Sequence, residues 1–466
     1  MSGPAAAGPR SIHMVGIGGA GMSGLALLAR EAGYAVGGTD RDESPMLDTL
    51  RRAGIAARAG HGADALAPGA AALVVSTAIA AENPELAEAR RRGIPVLHRS
   101  ELLAELMAGR RGLAVAGAHG KSTTSAMLHA ALGDSSACVG ATIAGGRGTG
   151  AVWGTGPWFV AEADESDRSL LNLAPEAAIL LNVDHDHHAT YATLEEVREV
   201  FRAFVARLPA DGVLVVGPDE DARACAADAP CAVRRVGDVE GSFCRVERAP
   251  GSPAFTLALA DGRRIAVPLA VTGLHNAENA ACALALADWC GADLEEAARR
   301  LAGFTGVGRR MDPRGAAAGV EVIDDYAHHP AEIRATIAAA RERDPARVVV
   351  VFQPHLPSRT RALGAELAEA LGAADVAIVT DVYLAREPAD PAVTGRGVAE
   401  RVPVPARAVY APSLADAADA VMAEVRPGDL VLTMGAGDIT SLGKELVGRL
   451  ERLSGDGDRD PLSDPA

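Results

Sequence analysis

Lys121 is one of two lysines among 45 basic residues; the other is Lys444. It stands in Gly117-Ala118-His119-Gly120-Lys121-Ser122-Thr123, a glycine-rich loop of the kind that cradles phosphate. A compact ammonium on a flexible stem can follow β- and γ-phosphates as a point charge, whereas a guanidinium is a rigid planar fork. Residues 113–116 form an apolar, strand-like run before the loop, and 123–132 read as a helix after it. In that context backbone N–H groups and a helix N-terminus converge on an anion, and Ser122 can offer its hydroxyl to Mg²⁺. The match is Gly-x-x-Gly-Lys-Ser, with Val115 where the usual pattern has its first glycine.

Further along, an apolar run over 158–161 leads into Glu162, Asp164, Glu165 and Asp167. Carboxylates at a strand end suit Mg²⁺ ligation or a solvated acidic loop, and the preceding buried strand favours the former. Asn182-Val183-Asp184-His185-Asp186-His187-His188 is another strand exit. It reads as a second Mg²⁺ position, a zinc site or a polar turn. No His or Cys pair at finger spacing supports zinc, so magnesium is the better reading beside a phosphate loop. Residues 272–279 either cap a helix or touch a base. Arg309 and Arg310 could reach a γ-phosphate when domains close, although spacing alone favours paired surface arginines. Two polar clusters, 324–330 and 352–361, follow consecutive strands, where an open α/β sheet keeps its crevice. Within them, Arg359 suits a substrate carboxylate.

These residues need elements to hold them. A strand over 12–15, the run Gly16-Ile17-Gly18-Gly19-Ala20-Gly21, a helix to residue 30 and a strand ending in Asp40 satisfy the dinucleotide-binding fingerprint. NAD, FAD and UDP-sugars all remain open for it. Strands are predicted at 73–76, 178–182 and 213–216, an antiparallel stretch at 243–271, and a closing helix at 276–289. Strands at 320–323, 348–352, 376–380 and 430–434 alternate with Ala-rich helices and imply a second open parallel sheet. The chain therefore reads as α/β in three domains: 1–110 Rossmann-like, 111–310 a central P-loop-type ATPase domain, and 311–466 Rossmann-like again. Its length of 466 residues and 48% hydrophobic content allow several cores. A net charge of −16 argues against a nucleic-acid binder. The six cysteines show no metal spacing and read as reduced cytosolic thiols. No apolar run is long enough to span a membrane. Residues 1–9 and 454–466 read as disordered ends.

In order along the chain, VGIGGAGMSGLA (15–26), GAHGKSTT (117–124), AEADESD (161–167), NVDHDHHATY (182–191), HNAENAA (275–281), GVGRR (306–310), DDYAHHP (324–330), FQPHLPSRT (352–360) and GAGDI (435–439) resemble the Mur ligase family of bacterial cell-wall synthesis. The resemblance implies a cytoplasmic, ATP- and Mg²⁺-dependent ligase. It would join L-alanine to the lactyl carboxylate of UDP-N-acetylmuramate through an acyl phosphate, as a monomer or homodimer. It further implies Gly18, Gly19, Asp40 and Ser76 for the UDP-sugar. Gly117, His119, Gly120, Lys121, Ser122, Thr123, Asn276 and Asp324 would serve ATP, and Ser122, Glu162 and His187 would hold Mg²⁺. Arg309 or Arg310 would reach the phosphates, Tyr326, His355 and Arg359 would form the amino-acid pocket, and His328 would be the base. The chain departs from the family pattern in a short 145–156 loop, at Leu356-Pro357 and at Ala189. Lacking lysine between 121 and 444, it has no carbamoyl-lysine for a second Mg²⁺. Rival readings are a member that attaches a peptide to the same sugar nucleotide, an NAD-dependent dehydrogenase, and a non-catalytic UDP-sugar sensor.

Overall fold

A computed structural model describes residues 10–456 except 189 and 386. Three parallel-rich sheets follow one another along the chain. The first has five parallel strands in the order Ala56–Ala59, Ala35–Asp40, Ser11–Val15, Ala72–Val75, Val96–His98. Helix Ala20–Glu31 leaves the first strand through the glycine run and buries Met22, Leu25 and Leu28.

The second sheet has seven strands in the order Ala232–Arg235, Val213–Val216, Ala177–Leu180, Arg111–Ala116, Trp158–Glu162, Ser136–Cys138, Ala151–Val152. The last strand runs antiparallel to its neighbour; the other pairings are parallel. Arg111–Ala116 lies in the middle, so both its faces are covered. Leu113 and Val115 join the core of helices Lys121–Leu132 and Leu274–Trp289. Ala114 and Ala116 join the core containing Phe201 and Phe204, as the period-2 alternation of a strand requires. Leu102 and Leu106 of helix Arg99–Ala108 enter that same core, which ties the first segment to the second.

Cys244–Glu247, Phe255–Leu259 and Arg264–Val267 form the expected antiparallel stretch. A further helix, Leu294–Leu301, follows the one predicted to close this region. The last sheet has the order Asp312–Ala317, Val320–Asp325, Asp429–Met434, Arg347–Phe352, Val376–Val379, Arg407–Tyr410. It is mixed rather than wholly parallel. Ala318 and Gly319, both at positive φ (52° and 74°), turn the first strand back as a hairpin edge, the backbone that a two-residue primed turn demands. Helix Leu442–Asp456 includes residues 454–456 of the tail expected to be disordered; 1–9 and 457–466 lie outside the described residues. Among the described residues, no helix is long and apolar enough to cross a membrane.

Candidate functional site

Parallel strands place their C-terminal ends on one side, and the loop 117–120 sits there between strand Arg111–Ala116 and helix Lys121–Leu132. Gly117 and Gly120 adopt φ of 140° and 83°, and a Cβ on Gly120 would stand 3.0 Å from Asn279 Oδ1. Backbone of this kind can close tightly over an anion only as glycine. Asn182 clamps the loop from both sides: its Oδ1 accepts the His119 N–H at 2.8 Å, and its Nδ2 donates to the His119 carbonyl at 3.0 Å.

Lys121 Nζ donates to the Gly117 and Ala118 carbonyls at 2.7 and 3.0 Å and to Glu165 at 2.9 Å. Burial disfavours its charge, but Glu165, Glu162 and Asp164 outweigh that and raise its pKa. The Ser122 hydroxyl donates to Glu162 at 2.9 Å, and the Gly140 N–H does so at 2.6 Å. The acidic cluster thus divides, correcting the idea that its four carboxylates gather round a metal. Glu162 faces Ser122 and Glu165 is the counter-ion of Lys121. Asp164 and Asp167 turn to the first segment, Asp164 lying 2.5 Å from Arg99 and Asp167 lying 3.5 Å from His98. Burial of Asp164 is offset by Arg99 and Lys121, which hold its carboxyl at about 2. His187, at φ 56°, places Nε2 3.3 Å from Glu165. Burial opposes its charge, yet Glu165 and Asp186 raise its pKa.

Across the loop opens a cavity of about 480 Å³, within the range of small-ligand sites. His119, Gly120, Thr123 and Asn276 line it from the central segment, Arg310 and Asp325 from the last. Asn276 Nδ2 donates to the Thr272 carbonyl at 2.7 Å. Two expectations are corrected here. Asp324 is fully buried and accepts from Thr433, Thr440 and Arg314 at 2.8, 2.8 and 2.9 Å. Successive strand residues face opposite sides, so Asp325 forms the cavity wall instead. Likewise Arg309 Nη2 donates to the Gly435 carbonyl at 2.7 Å, while Arg310 lines the cavity and donates to Glu332 at 3.1 Å. The two substitutions should therefore diverge. Arg310→Ala is expected to cut turnover about 10²-fold with folding retained. Arg309→Ala is expected to cost about 1–3 kcal/mol of stability by orphaning buried acceptors. Initial rates and thermal melts on both variants check this.

Next to Arg310, Tyr326 lies under both guanidiniums, 4.9 and 5.2 Å from its ring centre. His328 meets Tyr326 edge-on at 5.1 Å and His355 at 6.1 Å. Burial pushes the His328 pKa down to about 3 despite Glu332 nearby, which makes it a neutral hydrogen-bonding group and a weak base, contrary to expectation. Arg359, 5% exposed, pairs with Asp186 at 2.6 and 3.1 Å, and its Nη1 lies 3.3 Å from His355 Nδ1. Leu356 precedes the Arg359 helix at φ 67°. Sequence reading placed Asn182, Glu165, Asp186 and Asp325 in polar runs at strand exits without giving them these partners, and it missed Glu332, which lies inside helix Pro330–Arg341 with no local signal.

In the first segment the Gly18 N–H donates to Asp40 at 2.8 Å, so the acid expected on a ribose holds the glycine turn in this structure. Ser76 follows strand Ala72–Val75, its carbonyl accepting from Ile79, and Gly19 donates to the Gly16 carbonyl. A smaller cleft of about 90 Å³ runs from Gly21 and Arg99 to Gly140 and Glu162. Glu162 therefore faces the first segment on one side and Ser122 on the other. The short 145–156 loop reaches the same helix: a Cβ on Gly24 would stand 3.1 Å from that of Ala151. Ala189 lies outside the described residues.

Comparison with known proteins gives three family matches: Mur ligase family, catalytic domain, over residues 11–111; Mur ligase middle domain over 157–287; and Mur ligase, glutamate ligase domain over 309–437. A UDP-N-acetylmuramate–L-alanine ligase of Kineococcus radiotolerans is 48% identical over 452 residues, 94% of this chain and 96% of its own. Among solved structures, the UDP-N-acetylmuramate-alanine ligase of Thermotoga maritima superposes with a TM-score of 0.79 at 27% identity, covering 95% of this chain and 99% of that one. A murein peptide ligase of Psychrobacter arcticus gives 0.70 at 25% identity, covering 95% and 99%.

Proposed function

The chain belongs to the Mur ligase family, and on that premise we propose that it joins L-alanine to the lactyl carboxylate of UDP-N-acetylmuramate at the expense of ATP. The observation that carries the proposal is the convergence around one loop: Lys121 and Ser122 lie between a cleft reaching the first segment and a cavity walled by Asn276 and Arg310. The L-alanine relative covers nearly the whole chain and supports the choice of amino acid.

A carboxylate and an amine do not condense unaided in water, because oxide is a poor leaving group. In the proposed route a lactyl carboxylate oxygen bonds to the γ-phosphorus while the bond to the β–γ bridging oxygen breaks, giving acyl phosphate and ADP. The alanine nitrogen then bonds to the acyl carbon, the C–O bond to phosphate breaks, and the amine proton leaves to solvent. Lys121 exchanges Glu165 for the phosphates, moving its charge over a short distance to where phosphoryl charge develops. Arg310 supplies a second positive group from the opposite wall. Arg359, beside His355, takes the alanine carboxylate. Gly18, Gly19, Asp40 and Ser76 serve the sugar nucleotide.

Ser122, Glu162 and His187 are the residues that would hold Mg²⁺. The donors fit a hard dication: Glu162 accepts from a hydroxyl and an amide, and among the described residues no cationic side chain makes an ion pair with it. When bound, Mg²⁺ supplies charge neutralisation to the phosphates. His187 touches Glu165 rather than Glu162 here, so it is the farthest of the three from its role.

Phosphate release from ATP tests the proposal. It is expected only when UDP-N-acetylmuramate and L-alanine are both present, with an amide product by mass. Release with a peptide acceptor but not with L-alanine would move the chain to the peptide-adding members. Release with no acceptor tested would overturn the ligase reading.

A further inference from the structure

His119, Asp184 and His329 come from three separate stretches of sequence, and their ligand atoms lie within 4.8 Å of one another. His119 Nε2 is 3.2 Å from Asp184 Oδ2, and His329 Nδ1 is 3.4 Å from the same oxygen. In a tetrahedron with zinc–ligand bonds of about 2.0–2.1 Å, neighbouring donors stand about 3.3–3.4 Å apart. Those two edges are already in place. We propose that His119, Asp184 and His329 form a binding site for a divalent transition cation of the Zn²⁺ class, distinct from the Ser122–Glu162 position.

Two independent observations point to a ligand. His329 is 5% exposed, and its Nδ1 is buried without a hydrogen-bond partner, aimed at Asp184. A buried polar atom left unpaired is costly and calls for a partner. His119, meanwhile, turns its other nitrogen to Glu332, at 3.4 Å from Nδ1. That is the carboxylate–histidine–metal relay which fixes the tautomer and orientation of a ligating imidazole. Imidazole donors select zinc-like ions over Mg²⁺, which prefers oxygen.

His119 and Asp184 belong to the central segment; His329 caps helix Pro330–Arg341 of the last. A bound ion would pin the two walls of the 480 Å³ cavity together. Because His119 and Asp184 also line that cavity, it would compete with whatever enters there. The zinc reading of residues 182–188 failed on sequence spacing because the partners of Asp184 are 65 residues before it and 145 after it along the chain.

The site itself does not rest on the ligase reading, and its test uses nucleotide-free, full-length protein. Co²⁺ is titrated in and then displaced by Zn²⁺. The visible absorption of tetrahedral Co²⁺ is expected to saturate at one equivalent, whatever six-coordinate, weakly absorbing Co²⁺ binds at Ser122 and Glu162. Affinity should fall more than ~10-fold in His329→Gln and in Asp184→Asn and stay unchanged in Glu162→Gln, with melts of the metal-free variants reporting their folding. Should His329→Gln unfold, Asp184→Asn, at a partly exposed side chain, carries the test. The proposal is overturned by the absence of a saturable band, or by a band that Glu162→Gln weakens and Asp184→Asn does not.

Discussion

Lys121→Ala is expected to lower kcat by about 10²–10³-fold, the scale of removing one preorganised charge from a developing anion. The Michaelis constant for ATP should move far less, since the loop amides and the Asn276 wall remain. The fold should survive, although at a cost. Glu165 is 2% exposed and would lose its ammonium; among the described residues the His187 imidazole, at 3.3 Å, is the cationic partner left to it. A stability loss of about 1–3 kcal/mol follows from that orphaned carboxylate. Lys121→Arg should not restore turnover, because the Gly117 and Ala118 carbonyls converge on a single ammonium, a geometry that a rigid planar fork does not reproduce. Initial rates and melts on both variants decide it; near-normal turnover in Lys121→Ala removes the residue from the chemistry.

The second large effect is at Arg359. Arg359→Ala should raise the L-alanine Michaelis constant about 10²-fold, the worth of roughly 2–3 kcal/mol for a charge-assisted contact, with little change for ATP. Stability should fall too. Asp186 is buried, and its carboxyl sits well below the ordinary range: burial pushes it up, and Arg359, with His187 beside it, more than reverses that. Breaking such a pair costs about 3–5 kcal/mol. The double variant Arg359→Ala, Asp186→Asn separates the two consequences. It should recover much of the melting temperature and none of the alanine affinity. Recovery of both would mean that Arg359 only neutralises Asp186.

The long, strongly patterned elements were legible because their periodicity and their glycine punctuation agreed. Strands such as Arg111–Ala116 and Arg347–Phe352 are continuous apolar runs that only a doubly covered sheet can bury. Edge strands were not legible: Ala56–Ala59 and Arg407–Tyr410 are short and half exposed, with no pattern that distinguishes them from loops. At the site, residue types gave the loop and the acids, but not the direction in which each points. Asp324 and Asp325 are neighbours of identical chemistry, and only the pleat of Val320–Asp325 decides which faces the cavity. Arg309 and Arg310 divide in the same way. Contacts between distant stretches, such as Arg359 with Asp186, leave no local trace in sequence.

The strand exit at 162–165 is shared property. Glu162 bonds Ser122, Asp164 bonds Arg99 of the first segment, and Glu165 bonds Lys121, all within four residues. A shift of the first segment at Arg99 cannot leave Glu165, the counter-ion of Lys121, undisturbed. Thermodynamic reciprocity then sets a symmetry on the two ligands: whatever factor the sugar nucleotide imposes on ATP affinity through this segment, ATP must impose on the sugar nucleotide.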